Sequence, residues 1–297
     1  MPELPEVNSI KLQLQKYLVG HTIEKAEVRN TKIFEGNPKD IEGAKVSDVR
    51  RFAKVLSIDL SNGKSLVIHI KLTGQIIYRG PNLKNPGSLS KKVAGGVPGP
   101  HTLVIFHLDR SGVLYYNDIR RFGWIRVYDT DKVEKEGFVN KLGPEPFGGA
   151  QGKPFGQVQG KPELLTLNYF QTVLSKTARA IKVVLMDQSK IGGVGNIYAN
   201  DALWLSKINP RTQAKNLDEQ KSKELFDAIH TVLKAGMKYG GASELAFVTP
   251  DGAEGQYQEH TLVYGKQGTI CKNCKGNKIE KYFLSGRGTY WCPTCQS

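Results

Sequence analysis

The sequence predicts an α+β protein: an antiparallel β domain led by a helix, then a helical module, then a cysteine-rich hairpin tail. Three observations predict it. Apolar and polar residues alternate across two strand–turn–strand runs before residue 130. Beyond a Gly/Gln/Pro-rich stretch the apolar spacing becomes helical. All four cysteines fall after residue 270, as two C-x₂-C pairs. The length of 297 residues, 39% of them hydrophobic, suits about two domains.

The chain opens with "MPELPEV". A helix is predicted from Pro5, because Val7, Ile10, Leu14 and Leu18 fall at helical spacing and a first-turn proline is tolerated. Pro2 and Glu3 therefore stand just ahead of a helix N-terminus. In "KVLSIDLSNGKSLVIHIKL", alternation on both sides of Asn62-Gly63 predicts a hairpin. "HTLVIFHLDRSGVLYYND" repeats the theme with a longer turn, and "NLKNPGSLSKKVAGGVPGPH" before it reads as a long loop. Residues 1–130 make the N-terminal domain. A linker follows over 131–163, with the insertion-like "GGAQGKPFGQVQGKP" inside it. Over 164–240, stripes such as Leu225, Ile229, Val232, Leu233 and Met237 predict helices, the last with Asn216 and Glu219 as a capping box. The stretch 241–266 carries Gly and Asp residues that suit a closing loop. The tail is 267–297.

Charge is the strongest bulk signal. Lys and Arg number 42 against 28 Asp and Glu, a net charge of +14. Such an excess suits a polyanion, nucleic acid first, although a generally basic protein would share it. No apolar run approaches the ~18 residues of a membrane span, and no signal-peptide pattern is present, so a cytoplasmic location without membrane attachment is expected. There thiols stay reduced, which favours metal ligation over disulfides.

Cys271, Cys274, Cys292 and Cys295 form C-x₂-C, seventeen residues, then C-x₂-C. Each pair can bite one tetrahedral ion, and the interval suits a short hairpin; one structural zinc is expected. "SGRG" sits at the predicted turn, placing Arg287 to touch a phosphate, although it also reads as an ordinary surface arginine. "SKIGGVGNIYAN" runs a glycine-rich turn into a helix near Asn196. Phosphate binding by exposed N–H groups and plain helix packing both fit it. The turn matches neither the P-loop nor the dinucleotide spacing. In "NDIRRFG", Arg120 and Arg121 suit phosphates and Phe122 suits a wedge between bases, or the three are solvated arginines beside a core ring. G-x-S-x-G and H-E-x-x-H are absent. At the start, trimming of Met1 would free the Pro2 amine. An α-amine titrates near 8, so a sizeable fraction is neutral and nucleophilic at neutral pH. Glu3 and Glu6 are placed to supply protons. Alternatively, Pro2 and Pro5 merely stiffen a helix start.

"PELPEV", "RRFAK", "HIKLTG", "RRFG", "GVGNIYAN" and the terminal "GRGT…CPTCQ" occur in that order across the whole chain. This set resembles the formamidopyrimidine-DNA glycosylase family, bacterial 8-oxoguanine repair enzymes. The resemblance implies an N-terminal β-sandwich, a helix–two-turn–helix module and a zinc-finger hairpin. It implies a bifunctional glycosylase and abasic-site lyase, monomeric, acting on damaged duplex DNA. By the same resemblance Pro2 is the nucleophile at the sugar C1′, Glu3 the acid at the ring oxygen, Lys54 the lysine of β-elimination and Arg287 the finger arginine of δ-elimination. Glu6, His69, His101, Arg120, Lys182 and Asn196 match DNA-contacting or near-lesion positions. Leu72, Arg121 and Phe122 match the trio that fills the gap left by a flipped base. Leu72 stands where methionine is usual, a swap of similar volume. The finger interval is one residue longer than the family's, which bears on the tip around Arg287. A related endonuclease for oxidised pyrimidines usually begins "PEGPE", and Leu4 argues against it. A DNA-binding relative without catalysis would not need Pro2, Glu3, Lys54 and Arg287 together, and a zinc-ribbon factor would not need the "PE" start.

Overall fold

The computed structural model describes residues 1–84, 87–148 and 164–296. The Gly/Gln/Pro-rich insertion falls almost wholly at 149–163, outside the described residues. Two compact units divide the chain. The first joins Met1–Asn140 to Met237–Gln258; the second contains Lys141–Gly148, the stretch up to Gly236, and the tail from Glu259.

In the first unit, helix α1 (Leu4–Leu18) begins one residue earlier than the proline suggests. Glu3 is its N-cap, and Glu3 and Glu6 form a capping box. Val7, Ile10, Leu14 and Leu18 are buried, as the spacing predicts. Nine strands follow: β1 (Ile23–Val28), β2 (Phe34–Glu35), β3 (Val46–Phe52), β4 (Val55–Leu60), β5 (Lys64–His69), β6 (Gly74–Arg79), β7 (Thr102–Leu108), β8 (Val113–Asp118) and β9 (Trp124–Asp129). They build a four-stranded sheet, β1-β7-β8-β6, and a five-stranded sheet, β2-β9-β5-β4-β3. One core, including Ile58, Ile68, Ile76, Val104 and Phe106, takes residues from both sheets and from α1. This is the sandwich that the resemblance implies. Both hairpins form: Leu56 faces Ile68 and Ile58 faces Leu66 across Asn62-Gly63, and Phe106 faces Leu114 in the second. Among the described residues of these two sheets, the two-residue β2 departs from antiparallel pairing and runs parallel to β9.

The second unit is helical. It contains α2 (Leu167–Ser175), α3 (Ile181–Leu185), α4 (Asn196–Leu205) and most of α5 (Glu219–Lys238). Helix α5 buries Leu225, Ile229, Val232 and Leu233, four of the five stripe residues. Its cap differs from the sequence expectation. Asn216 ends a short 3₁₀ turn, Ala214–Asn216. Asp218 instead accepts the Lys221 N–H at 2.6 Å. Leu217 lies extended between them, which shifts the helix start past Asn216. The tail folds as a hairpin of β10 (Glu280–Leu284) and β11 (Arg287–Trp291). Asp218→Ala should therefore lower stability by about 1 kcal/mol, while Asn216→Ala changes it little. Denaturant midpoints of the two variants test this; a larger loss for Asn216→Ala would place the cap where the sequence pattern put it.

Candidate nucleic-acid site

The first unit holds the start of the chain in place through one carboxylate. Pro2 and Glu3 are buried. Glu6, one turn into α1, accepts the Glu3 N–H at 2.6 Å and the Ala242 N–H at 2.7 Å. Beside it Gly241 has a φ of 87°, and a Cβ there would lie 2.8 Å from Glu6 Cγ. Glu6 thus spends both oxygens on backbone donors. It fixes the entry of the chain. Part of the expected closing loop at 241–266 is tied down as well. Gln75 reaches the Ala246 carbonyl at 2.6 Å, and the Tyr78 N–H reaches the Pro250 carbonyl at 2.8 Å. Within it Glu244 and Leu245 are exposed.

Lys54 sits in the tight β3–β4 turn, between the paired Phe52 and Val55. The turn forces Ala53 to a φ of 52°, and Arg51 clamps the Ala53 carbonyl at 3.0 Å. Lys54 is buried, and its charge reaches His69 at the end of β5. His69 packs edge-on against Trp124 and Phe138. Burial, then Lys71 and Lys54, pull its pKa down to about 3. The imidazole is neutral at physiological pH. Its Nδ1 accepts the Lys71 N–H at 3.1 Å, which puts the ring proton on Nε2. His69 is therefore a neutral single donor beside Lys54.

The wedge candidates share one end of the four-stranded sheet. Leu72 is half-buried, while Arg120, Arg121 and Phe122 are exposed. The Arg120 guanidinium lies over the Phe122 ring, 4.7 Å from its centroid. Arg121 takes a φ of 56° to turn the chain. Phe122 is 57% exposed, so the reading of Phe122 as core fails. His101 is half-buried, and its carbonyl accepts the Asp118 N–H, which sets it at the same end.

In the second unit the finger leans on α3 and α4. Lys182 is buried and donates to the Gly288 carbonyl and the Thr289 hydroxyl, both at 2.8 Å. Asn196 donates to the same carbonyl at 3.2 Å, and Asn200 accepts the Tyr290 N–H at 2.8 Å. Lys182 thus supports the hairpin next to Arg287. Ser285 and Gly286 take φ values of 48° and 72°, a two-residue turn closed by the Leu284–Arg287 pair. The long finger interval leaves this tip regular, and Arg287 projects exposed beside it. The glycine turn before α4 is held by Gln188, which accepts the Gly193 N–H at 3.0 Å and donates to the Val194 carbonyl at 2.7 Å. Sequence reasoning missed Gln188, Asn200 and Asp201. The last two are polar residues inside the apolar run of α4, and both are fully buried. Asp201 accepts three consecutive N–H groups, from Leu262, Val263 and Tyr264.

The four cysteine sulfurs lie within 4.8 Å of one another. Cys271–Cys295 and Cys274–Cys292 are each 3.7 Å apart. A tetrahedral ion with ~2.3 Å metal–sulfur bonds sets its ligands ~3.8 Å apart, so the cluster fits one. Backbone N–H groups of Asn277 and Gly276 pull the Cys274 thiol down to about 6, while burial and the adjacent sulfurs push Cys295 up to about 12. A cation among them would relieve that conflict.

Family models match along most of the chain: the formamidopyrimidine-DNA glycosylase N-terminal domain over residues 1–125, and the H2TH domain of the same family over 159–247. The chain belongs to the formamidopyrimidine-DNA glycosylase family. A relative from Heliobacterium modesticaldum is 33% identical with both chains fully covered. One from Rickettsia massiliae is 35% identical over all of this chain and 97% of its own. Among solved structures, the MutM (Fpg) protein of Thermus thermophilus superposes with a TM-score of 0.82 at 31% identity, covering 99% of this chain and 98% of that one. The Lactococcus lactis Fpg, solved with DNA containing N7-benzyl-Fapy-dG, gives 0.82 at 29% identity with full coverage of both chains. Among the described residues no helix is long and apolar enough to cross a membrane.

Burial of a neutral His69 has a stability consequence. Unfolded, it titrates near its ordinary 6.5; folded, near 3. As pH falls through 6.5 the unfolded chain gains a proton that the folded chain refuses, so stability present above 6.5 drains away down to pH 3. Between pH 7 and 5 the loss from this group should be about 2 kcal/mol. Denaturation of His69→Gln across that window should show a slope reduced by this amount; an unchanged slope would mean His69 titrates normally.

Proposed function

We propose that this protein excises oxidised purines, 8-oxoguanine and formamidopyrimidines, from duplex DNA and then cleaves the abasic strand by β,δ-elimination. The observation that carries the reading is the Pro2–Glu3 start, buried and locked through Glu6, in a chain with full-length similarity to this family. With Met1 removed, the Pro2 nitrogen attacks C1′ of the damaged nucleotide, the C1′–base bond breaks with its electron pair going to the base, and the proton that Pro2 gives up passes to the departing base. Glu3 delivers a proton to the sugar ring oxygen, the ring opens, and an iminium joins Pro2 to C1′. The iminium withdraws electrons, so loss of a C2′ proton expels the 3′ phosphate, and a second elimination expels the 5′ phosphate. Lys54 serves the first elimination and the phosphate, and Arg287 serves the second. His69 donates from Nε2 to a phosphate, joined by His101, Arg120 and Asn196. Leu72, Arg121 and Phe122 occupy the gap left by the extruded base. Cys271, Cys274, Cys292 and Cys295 hold one zinc ion, which supplies no chemistry beyond pinning the hairpin that carries Arg287. The likeness to enzymes solved with DNA supports duplex DNA as the partner. We infer a monomer working in the cytoplasm at the nucleoid.

Borohydride added during reaction with an 8-oxoguanine duplex should lock protein to DNA. Residues added ahead of Pro2 should abolish both trapping and cleavage. Trapping that survives a blocked N-terminus would move the nucleophile to a lysine, Lys54 first. Glu3→Gln should impair base removal far more than cleavage of a preformed abasic site. The purified protein should carry one zinc per chain, and Cys292→Ser should lose zinc and strand cleavage together; fully active zinc-free protein would remove the metal from the account.

A further inference from the structure

The loops that carry Leu72 and Phe122 are fastened to one buried carboxylate, Asp118, at the end of β8. Asp118 is 1% exposed. Its Oδ1 accepts the Thr73 hydroxyl at 2.5 Å and the Arg120 N–H at 3.2 Å, and its Oδ2 accepts the Gly123 N–H at 2.8 Å. The Thr73 hydroxyl in turn accepts the Arg120 N–H at 3.1 Å. None of these partners is a cation. A buried carboxylate satisfied only by such donors dictates where they sit. The donors at 120 and 123 bracket Arg121 and Phe122, so the loop closes around the carboxylate. Thr73 brings in the residue next to Leu72.

A second contact sets the floor. The Tyr116 hydroxyl lies under both loops. A Cβ on Gly123 would come 1.8 Å from it, and a Cβ on Gly74 2.8 Å. Neither loop can sink toward the sheet. The turn at the opposite end of β8 shows that an ordinary connection needs less, since Asp109–Gly112 closes with backbone bonds, Gly112 N–H to the Asp109 carbonyl and Leu108 N–H to the Gly112 carbonyl. The braced loops differ in what they present. One of them leaves an aromatic ring 57% exposed, with an arginine stacked on it.

We propose that Asp118, acting with Thr73, is a positioning residue that sets the height and spacing of Leu72 and Phe122 as a pair, and so controls extrusion of the damaged base. This rests on the DNA-glycosylase reading above. Asp118→Asn keeps the size but turns an amide N–H₂ group toward one of the loop's own donors. Thr73→Val removes only the bridging hydroxyl, and Thr73→Ser keeps it.

The test uses the full-length protein and a duplex with a single 8-oxoguanine beside a 2-aminopurine reporter of unstacking. Asp118→Asn and Thr73→Val should lower single-turnover excision and the fluorescence rise roughly tenfold or more. Thr73→Ser should restore both. Affinity for undamaged duplex should stay within about twofold of wild type, and cleavage of a preformed abasic site should fall much less, because no base remains to unstack. Excision and fluorescence at the wild-type level in Thr73→Val, from an active wild type, would overturn the brace alone. A wild type that excises nothing would overturn the glycosylase reading instead. Equal losses on lesion, abasic site and thermal stability would make Asp118 a residue of the fold, and the positioning role would be wrong.

Discussion

The two backbone N–H groups that converge on Glu6 are the constraint on which the N-terminal unit's proposed chemistry depends. A reactive atom on the first residue of a mature chain is a difficult arrangement, because chain ends are ordinarily the least ordered part of a fold. Here Pro2 and Glu3 are buried, and they are fixed twice. Helix α1 is held by Leu4, Val7, Ile10 and Leu14 in the core. The Glu6 carboxylate then ties the Glu3 N–H to the Ala242 N–H, joining the first residues to a segment more than 230 positions away. An ionised carboxylate binds such donors about twice as strongly as a neutral acceptor, which suits it to the task. Gly241 is the complement of this choice, since no side chain fits between its backbone and Glu6.

The same device recurs. Asp118 gathers the loops of Leu72 and Phe122. Asp201 gathers three N–H groups ahead of the finger. Asn200 and Lys182 hold the finger strand itself. Each is a buried polar group whose partners are largely backbone. Such groups are costly when unsatisfied and rigid when satisfied, so a network of them favours one geometry over its neighbours. The exposed side chains proposed to meet DNA, Arg120 and Phe122 in the first unit and Arg287 in the second, each lie at or next to a backbone segment fixed in this way. Apolar packing builds the two cores, and buried carboxylates and amides set the height of what projects from them.

Electrostatics divides the cationic residues into two kinds. The net charge of +14 gives a general attraction for polyanions, sensitive to salt. Within the first unit, burial above all, then Lys71 and Lys54, keeps His69 neutral. A neutral donor beside a lysine adds a hydrogen bond without adding repulsion. A charged ring there would meet both Lys71 and Lys54.

Much was legible in the sequence. The hairpins around Asn62-Gly63 and after Leu108, the core face of α1, and the four-cysteine tail follow from period, turn chemistry and ligand spacing, which are local properties. The order of motifs from "PELPEV" to "CPTCQ" identified the family, because each motif is short, specific and fixed in sequence. What remained hidden was which polar residues face inward and onto what. Glu6 and Lys182 stand at motif positions, and only the tertiary structure shows what they hold: Glu6 two backbone N–H groups, Lys182 the Gly288 carbonyl and the Thr289 hydroxyl. Asn216 had the pattern of a cap, but the chain stays extended for one more residue and Asp218 takes the role. Asp118 lies inside "NDIRRFG" and Asn200 ends "GVGNIYAN", but neither motif nor period marks what these two, Gln188 or Asp201 hold, because their partners are largely backbone N–H and C=O groups. Only the folded backbone brings those groups to one carboxylate, so the sequence determined which elements form and the tertiary structure decided what holds the functional side chains in place.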